Sequence, residues 1–267
     1  MMELQLGDVQ TTALIPLVVK ANETQRKNPR ISDPKAVEII RKLDIDTRQY
    51  DKFMSHEGVV ARTIMLDRQL KGIIRESPDT VVVNIGAGFD DRFSRVDNGT
   101  ILWFDLDLPD AIAARKKAFA ERDRVTMIAG SVLEEGWCVP VVKAVEGRKT
   151  KPVFIAEGLF MYFTLDQIRT LLEMLKNNFP DGGTLIAEQN CKLMQKNEKH
   201  HDTVKNTNAR FMSGTDSGQE IADLSDGIRL IDEHSFNEEM KKYSIRGKLF
   251  ALLLPKMNDR WATFVWG

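Results

Sequence analysis

Apolar residues recur through the first eighty positions at helical spacing. The segments TTALIPLVVKANETQ (11–25), DPKAVEIIRKL (33–43) and VVARTIMLDRQLKGII (59–74) each predict a helix, because spacings of three and four residues gather apolar side chains on one face. Asp33 is placed to cap the second helix, with Pro34 at its first position, where the ring forfeits no hydrogen bond. From residue 80 the period changes. Short apolar runs at TVVVNI (80–85), TILWFDL (100–106), VTMIAG (125–130), KPVFIAE (151–157) and GTLIAEQ (183–189) alternate with helical stretches near 109–121, 137–146 and 164–178. Strand and helix alternating in this way predict an α/β fold, a doubly wound parallel sheet covered on both faces.

The stretch 190–245 is polar, with KNEKHHD and NTNARFMSGTDSG, and reads as a helical insertion or lid. The final KLFALLLPKMNDRWATFVWG has two apolar segments around PKMND, a pattern that suits a closing antiparallel hairpin. The expected organisation is therefore one domain in four parts: a helical cover (1–79), a core (80–189), the insertion (190–245) and the hairpin (246–267).

Composition removes several function classes. At 42% apolar and 29% charged residues over 267 positions, the chain can bury a proper core. A formal net charge of −1 offers no basic stripe for phosphates, so no nucleic-acid partner is expected. The segment KNEKHH is basic but has few aromatics and acidic neighbours, and reads as a solvated face. Cys138 and Cys191 have no metal or disulfide spacing, and no metal site is signalled. Apolar runs such as ALLLP (251–255) are too short to span a bilayer, and with acids and no basic n-region in MMELQLGDVQ no signal peptide is expected. A cytoplasmic chain with no membrane partner is expected.

Chemistry should gather beyond the carboxyl ends of the strands, where ligands bind in open parallel sheets. VVVNIGAGFDDRF (81–93) places Gly86 and Gly88 after the first strand, permitting a tight turn and close approach of a ligand to the backbone. A dinucleotide fingerprint needs a third glycine, yet Asp91 occupies its place beside Asp90. Two carboxylates are poor neighbours for a pyrophosphate. They suit a molecule bringing adenosine and positive charge without phosphate, which describes S-adenosylmethionine. WFDLDLP then sets Asp105 and Asp107 about twenty residues on, where an acid can accept from both ribose hydroxyls. Alternation puts both on one side of the strand, and either can instead cap the helix near Pro109, so the spacing leaves the choice open. AEGLFMYF leaves Glu157 at the same edge with Gly158 giving access. An anion there can hold an ammonium, and an arginine nearby can hold a carboxylate.

Taken together, ARTIMLDRQL, VVNIGAGFDDRF, WFDLDLP and EGLFMYF resemble the leucine carboxyl methyltransferase superfamily, especially its bacterial branch of tetracenomycin-type O-methyltransferases. The resemblance runs from about residue 10 to 190. It implies a class I S-adenosylmethionine-dependent methyltransferase fold: a mostly parallel seven-stranded sheet with an antiparallel last strand, and extra N-terminal helices over the cofactor. It further implies that Arg62 grips the donor's carboxylate, Gly86 opens the turn, Asp107 takes the ribose and Glu157 meets the methionine ammonium. An adenine-contacting Asp common in the family is replaced here by Ser131, followed by Val132, so that contact would lack charge. A basic residue near the N-terminus is also used in the family, and Lys20 is the nearest candidate.

The reaction implied is in-line displacement, in which alignment and exclusion of water are the protein's tasks. A carboxylate acceptor needs no base, whereas a hydroxyl does. Tyr162, five residues beyond Glu157, and His234, in IDEHSF, are the candidate catalytic residues; His56, just before the Arg62 helix, stands level with His234, and His200 and His201 lie in the proposed lid. A small-molecule acceptor with an oxygen nucleophile is expected, with a polyketide-like compound or another carboxylic acid in view. The alternatives are a protein C-terminal carboxyl methyltransferase and a non-catalytic binder of the donor or S-adenosylhomocysteine. A nicotinamide oxidoreductase shares the early pattern but wants the third glycine.

Overall fold

The computed structural model describes residues 10–43, 47–197, 209–255 and 257–267. Three helices come first: α1 (Leu14–Thr24), α2 (Pro34–Leu43) and α3 (Phe53–Glu76). The alternating core follows as β1 (Val81–Ile85), α4 (Arg92–Val96), β2 (Leu102–Asp107), α5 (Pro109–Ala118), β3 (Val125–Ala129), α6 (Cys138–Val145), β4 (Val153–Ala156), α7 (Leu165–Asn178) and β5 (Gly183–Gln189). The remainder comprises α8 (Lys192–Lys196), α9 (Gln219–Ala222), β6 (Arg229–Ser235), α10 (Asn237–Met240), α11 (Ile245–Leu253) and β7 (Arg260–Trp266).

The seven strands form one sheet in the order β3-β2-β1-β4-β5-β7-β6. β1 to β5 pair in parallel, and β7 runs antiparallel to both β5 and β6. Strand order reverses between β1 and β4, which opens a crevice beyond their carboxyl ends. Both faces of β1 are buried, as its run of β-branched residues requires. Val81, Val83 and Ile85 pack on one side with Phe154, Leu171 and Leu175, while Val82 packs on the other with Leu66, Leu70 and Trp103.

Local signals set several boundaries. Asp33 caps α2 by accepting from Ala36 N–H at 2.9 Å. Thr164 and Gln167 make reciprocal bonds at the start of α7, satisfying two N–H groups that would otherwise be orphaned. α1 is buried on most of its circumference, including Lys20 and Glu23, because it is pressed between α2 and α3 over the crevice.

The last third departs from the sequence expectation. The polar stretch 190–245 contains the edge strand β6, and the apolar KLFALLL belongs to α11 rather than to a hairpin arm. The antiparallel partners of β7 are therefore β5 and β6. An edge strand keeps charge on its exposed positions and loses the apolar alternation that would betray it. A short apolar run is equally compatible with helix or strand; here Ser244 accepts from Gly247 N–H and starts a helix. Among the described residues, no helix is long and apolar enough to cross a membrane.

Candidate active site

The ends of β1, β2, β4 and β5 open into a cavity of about 650 Å³ roofed by α1 and α3. Gly86 and Gly88 line it, with φ of +71° and +47°. Side chains there would be strained, and a Cβ on Gly88 would lie 3.0 Å from that of Ala13. The turn is folded back on β2 by bonds from Gly86 N–H and Ala87 N–H to the Leu106 carbonyl.

Asp105 and Asp107 share a face of β2 but have different fates. Asp105 does not reach the cavity: it is fully buried, accepting from Trp103 Nε1 (2.9 Å), Asn84 Nδ2 (3.1 Å) and the Arg115 guanidinium (2.7 and 3.1 Å). The expectation that it could bind the cofactor is corrected accordingly. One pleat earlier than the strand end, it lies under the layer of helices. Arg115 also donates to the carbonyls of Gly88 and Asp90, so this buried pair ties β2 to the glycine turn. Asp107, at the strand's end, lines the cavity and accepts from Gly88 N–H and Leu108 N–H, both at 2.8 Å. Burial raises its carboxyl above the ordinary value, and the two N–H groups only partly oppose the rise.

Arg62, on α3, reaches the cavity wall between two carboxylates. Its Nε lies 2.8 Å from Glu157 Oε1, and its Nη1 is 3.1 Å from both oxygens of Glu188. Glu188 was not among the residues singled out in the sequence, although the signal existed. Ala156 pairs with Ala187 across β4 and β5, so the acids that follow each alanine necessarily stand side by side. Glu188 also accepts from Gly158 N–H at 2.6 Å. Burial pushes Glu157 up, but Arg92 and Arg62 overcome it and hold the carboxyl below its usual range. In Glu188 burial prevails over Arg62, with the charge of Glu157 adding to it, and the carboxyl is raised.

A second ionic cluster lies beneath α1. Lys20 and Asp90 line the cavity and pair with each other. Arg92 bridges Asp67, Asp90 and Glu157 at 2.6–2.7 Å, and Arg95 bridges Asp33, Asp67 and Asp90 at 2.7–3.1 Å. The cations hold Asp90 well below the ordinary carboxylate range in spite of its burial.

Ser131, Val132 and Tyr162 line the cavity as expected. Burial raises the Tyr162 phenol. His234 does not line it: the ring is half exposed on β6, between Asp232 (3.1 Å) and Glu238 (2.9 Å), which corrects its placement as a catalytic candidate. His56 is buried outside the cavity between Asp51 and Glu23. His200 and His201 lie outside the described residues. Cys138 and Cys191 are buried, free thiols, the former pushed up to about 12 by burial. No cluster of metal-ligating side chains occurs among the described residues.

Two further cavity residues, Asn258 and Asp259, precede β7. Asp259 Oδ1 is buried without a hydrogen-bond partner. Burial, reinforced by the neighbouring charge of Glu188, raises this carboxyl well above its ordinary value despite Arg62 and Arg260. Much of the remaining wall is apolar, including Met161, Met194, Phe211, Phe236 and Phe250.

A seven-stranded sheet with this order, a glycine turn after β1 and an acid at the end of β2 define a class I methyltransferase. A family model, leucine carboxyl methyltransferase, matches residues 13–176, and the chain belongs to that family. It is an S-adenosylmethionine-dependent methyltransferase. It is 26% identical to the tetracenomycin polyketide synthesis O-methyltransferase TcmP of Streptomyces glaucescens over 87% of this chain and 84% of that one. The S-adenosyl-L-methionine-dependent methyltransferase dpfgK of Gibberella zeae is 23% identical over 67% of this chain and 64% of that one. In fold it matches magnesium protoporphyrin IX methyltransferase (ChlM) of Synechocystis PCC 6803, solved with S-adenosylhomocysteine, with a TM-score of 0.51 at 12% identity over 88% and 100% of the two chains. The cradle fits the cofactor: two glycines that no side chain could replace without strain, one acid at the end of β2 held by backbone N–H groups, and carboxylates and a guanidinium at the end of β4.

Proposed function

We propose that this protein is an O-methyltransferase acting on a small, largely apolar acceptor. The observation that carries the reading is the continuity of one cavity from the glycine turn, Asp107 and Glu157 to a wall of aromatic and methionine side chains. Such a wall buries the body of an apolar molecule, while a few polar groups orient it. In this reading Gly86 and Gly88 let the nucleoside approach the main chain, Asp107 accepts from the ribose hydroxyls, and Ser131 and Val132 border the adenine. Arg62 and Lys20 take the donor's carboxylate, and Glu157 its ammonium. The bound cofactor supplies an electrophilic methyl group on a sulfonium.

The acceptor oxygen forms a bond to that carbon as the carbon–sulfur bond breaks, leaving a neutral thioether. A carboxylate acceptor arrives already nucleophilic. A hydroxyl must give up a proton, and Asp259 is the group to receive it: its Oδ1 has no hydrogen-bond partner and its raised carboxyl brings it nearer to the proton affinity that this task needs. Tyr162 orients the acceptor.

The test is calorimetric titration with S-adenosylhomocysteine, followed by incubation of methyl-labelled donor with apolar carboxylic acids and phenols. Label recovered as an ester or aryl ether supports the proposal. Tight binding of S-adenosylhomocysteine with label on nitrogen, on sulfur or nowhere would overturn it.

A further inference from the structure

Among the described residues, exposed aliphatic side chains concentrate on the outward face of α11. Ile245, Leu249, Leu252 and Leu253 are 78, 51, 75 and 72% exposed. They stand at i, i+4, i+7 and i+8, a single stripe along the helix. Arg246 and Lys248, both exposed, flank it on its two sides. The inner face is fixed: Gly247 is buried so closely against α10 that a Cβ would lie 2.5 Å from the Met240 carbonyl oxygen, and Phe250 forms part of the cavity wall. Phe53, partly exposed, extends the patch beneath the Arg246 guanidinium, 5.4 Å from its ring centre.

The segment that carries the stripe has charge of one sign. The sequence from 240 to 257 holds Lys241, Lys242, Arg246, Lys248 and Lys256 and no acid, within a chain whose net charge is −1. Lys242 is engaged with Glu239, whereas Lys241, Arg246 and Lys248 are exposed at the rim.

We infer that α11 docks this protein on an anionic lipid surface. An aliphatic stripe between basic flanks is the arrangement that seats a helix in the headgroup region of a bilayer, with leucines toward the acyl chains and cations at the phosphates. A second copy fits less well, because a two-fold contact through this face would set Arg246, Lys248 and Lys241 against their own counterparts. A protein partner would be expected to find an anchor pocket, and Ile245, Leu249, Leu252 and Leu253 do not line the cavity described above. The expectation of no membrane partner rested on the length of apolar runs, a criterion for spanning that a surface-lying helix does not have to meet. Docking also accounts for the position of α11: the helix whose outer face enters the lipid has Phe250 in the cavity wall. Resting on the proposed function, this gives an apolar acceptor a path from the bilayer to the cavity.

The experiment is flotation of the full chain with vesicles of phosphatidylcholine alone and of phosphatidylcholine with an equal part of phosphatidylglycerol. The wild type is compared with L252E/L253E and with R246E/K248E. Wild type should float with the anionic vesicles, less so at high salt, and each variant should lose about tenfold in partitioning. Calorimetry with S-adenosylhomocysteine, expected to be unchanged in both variants, shows that they are folded and keeps this outcome separate from the fate of the proposed reaction. Equal flotation on both vesicle types, or flotation that neither variant weakens, would overturn the inference. So would a chain that ignores both vesicles: a dimer abolished by L252E/L253E would assign the face to a second copy, and a monomer would leave it to an acidic protein.

Discussion

The two halves of the cavity are built on different principles. On the proposed donor side, a tight turn and the end of β4 present groups whose charges are largely matched: Asp90 to Lys20, Arg92 and Arg95, and Glu157 to Arg62 and Arg92. On the proposed acceptor side the carboxylates outnumber their cations. Arg62 is shared between Glu157 and Glu188, and Asp259 keeps one oxygen without a hydrogen bond. A matched site holds a fixed ligand in a fixed pose. A site left short of positive charge is one in which a buried carboxyl holds its proton more tightly than usual and can exchange it with a ligand.

Removing the cation shared by both halves should have the largest effect. Arg62→Ala leaves Glu157 and Glu188 buried without that partner, and should cost roughly 3–5 kcal/mol of stability in urea unfolding. Affinity for S-adenosylhomocysteine should also fall, by at least about 2 kcal/mol in calorimetry. Arg62→Lys keeps the charge but loses the geometry that reaches both carboxylates, and should recover part of the stability and less of the affinity. Wild-type affinity in both variants would mean that the donor's carboxylate is held elsewhere.

Asp259→Asn asks whether the acceptor side is separate. With a hydroxyl acceptor, kcat/KM should fall by about a hundredfold, while the dissociation constant for S-adenosylhomocysteine stays within about twofold. The wild-type rate should rise with pH as Asp259 loses its proton, at a pH above the ordinary carboxyl value because the folded state raises it. The variant should lack that limb. A parallel loss of donor affinity would erase the distinction between the halves. Asp107→Asn is the mirror test and a milder one: about 1–2 kcal/mol of donor affinity should go, with kcat at saturating donor little changed.

The same division explains what could be read from the chain. The donor side comes from short contiguous segments in which glycines, strand ends and acids are close in sequence, so Gly86, Gly88, Asp107, Ser131, Val132 and Glu157 could be placed on the cavity from spacing and resemblance. Asp105 was ambiguous because strand alternation gives the side of a residue and not its depth; Trp103, Asn84 and Arg115 claim it below the strand end. The acceptor side gathers Phe211, Phe236, Phe250 and Asp259 from the stretch where edge strand and surface helix carry little periodicity. His234 looked catalytic beside its acids, but those acids hold it at the surface of β6. Glu188 was legible in principle, since parallel register places it beside Glu157.

The smallest effect lies away from both halves, at His56, and tests whether the helical cover is itself electrostatically set. Burial alone would lower the pKa of this imidazole, but hydrogen bonds to Asp51 and Glu23 outweigh it and raise the value above the ordinary 6.5. A raised value means that the folded state binds the proton more tightly than the unfolded chain. The stabilisation is therefore whole below pH 6.5 and is lost as pH climbs through the folded value. Its carboxylate partners work the other way. Burial pushes Glu23 up, but bonds from Arg30 and His56 bring it down to about 2, so its contribution is present above its ordinary 4.5 and lost only as pH falls toward 2. Stability attributable to this cluster should then be level from about pH 5 to 6.5 and decline above it by about 1 kcal/mol, the scale of one net hydrogen bond. His56→Gln can keep a bond to Asp51 or Glu23 without the charge, and should flatten that alkaline decline in urea midpoints while leaving donor affinity intact. A decline unchanged in the variant would show that another group sets it.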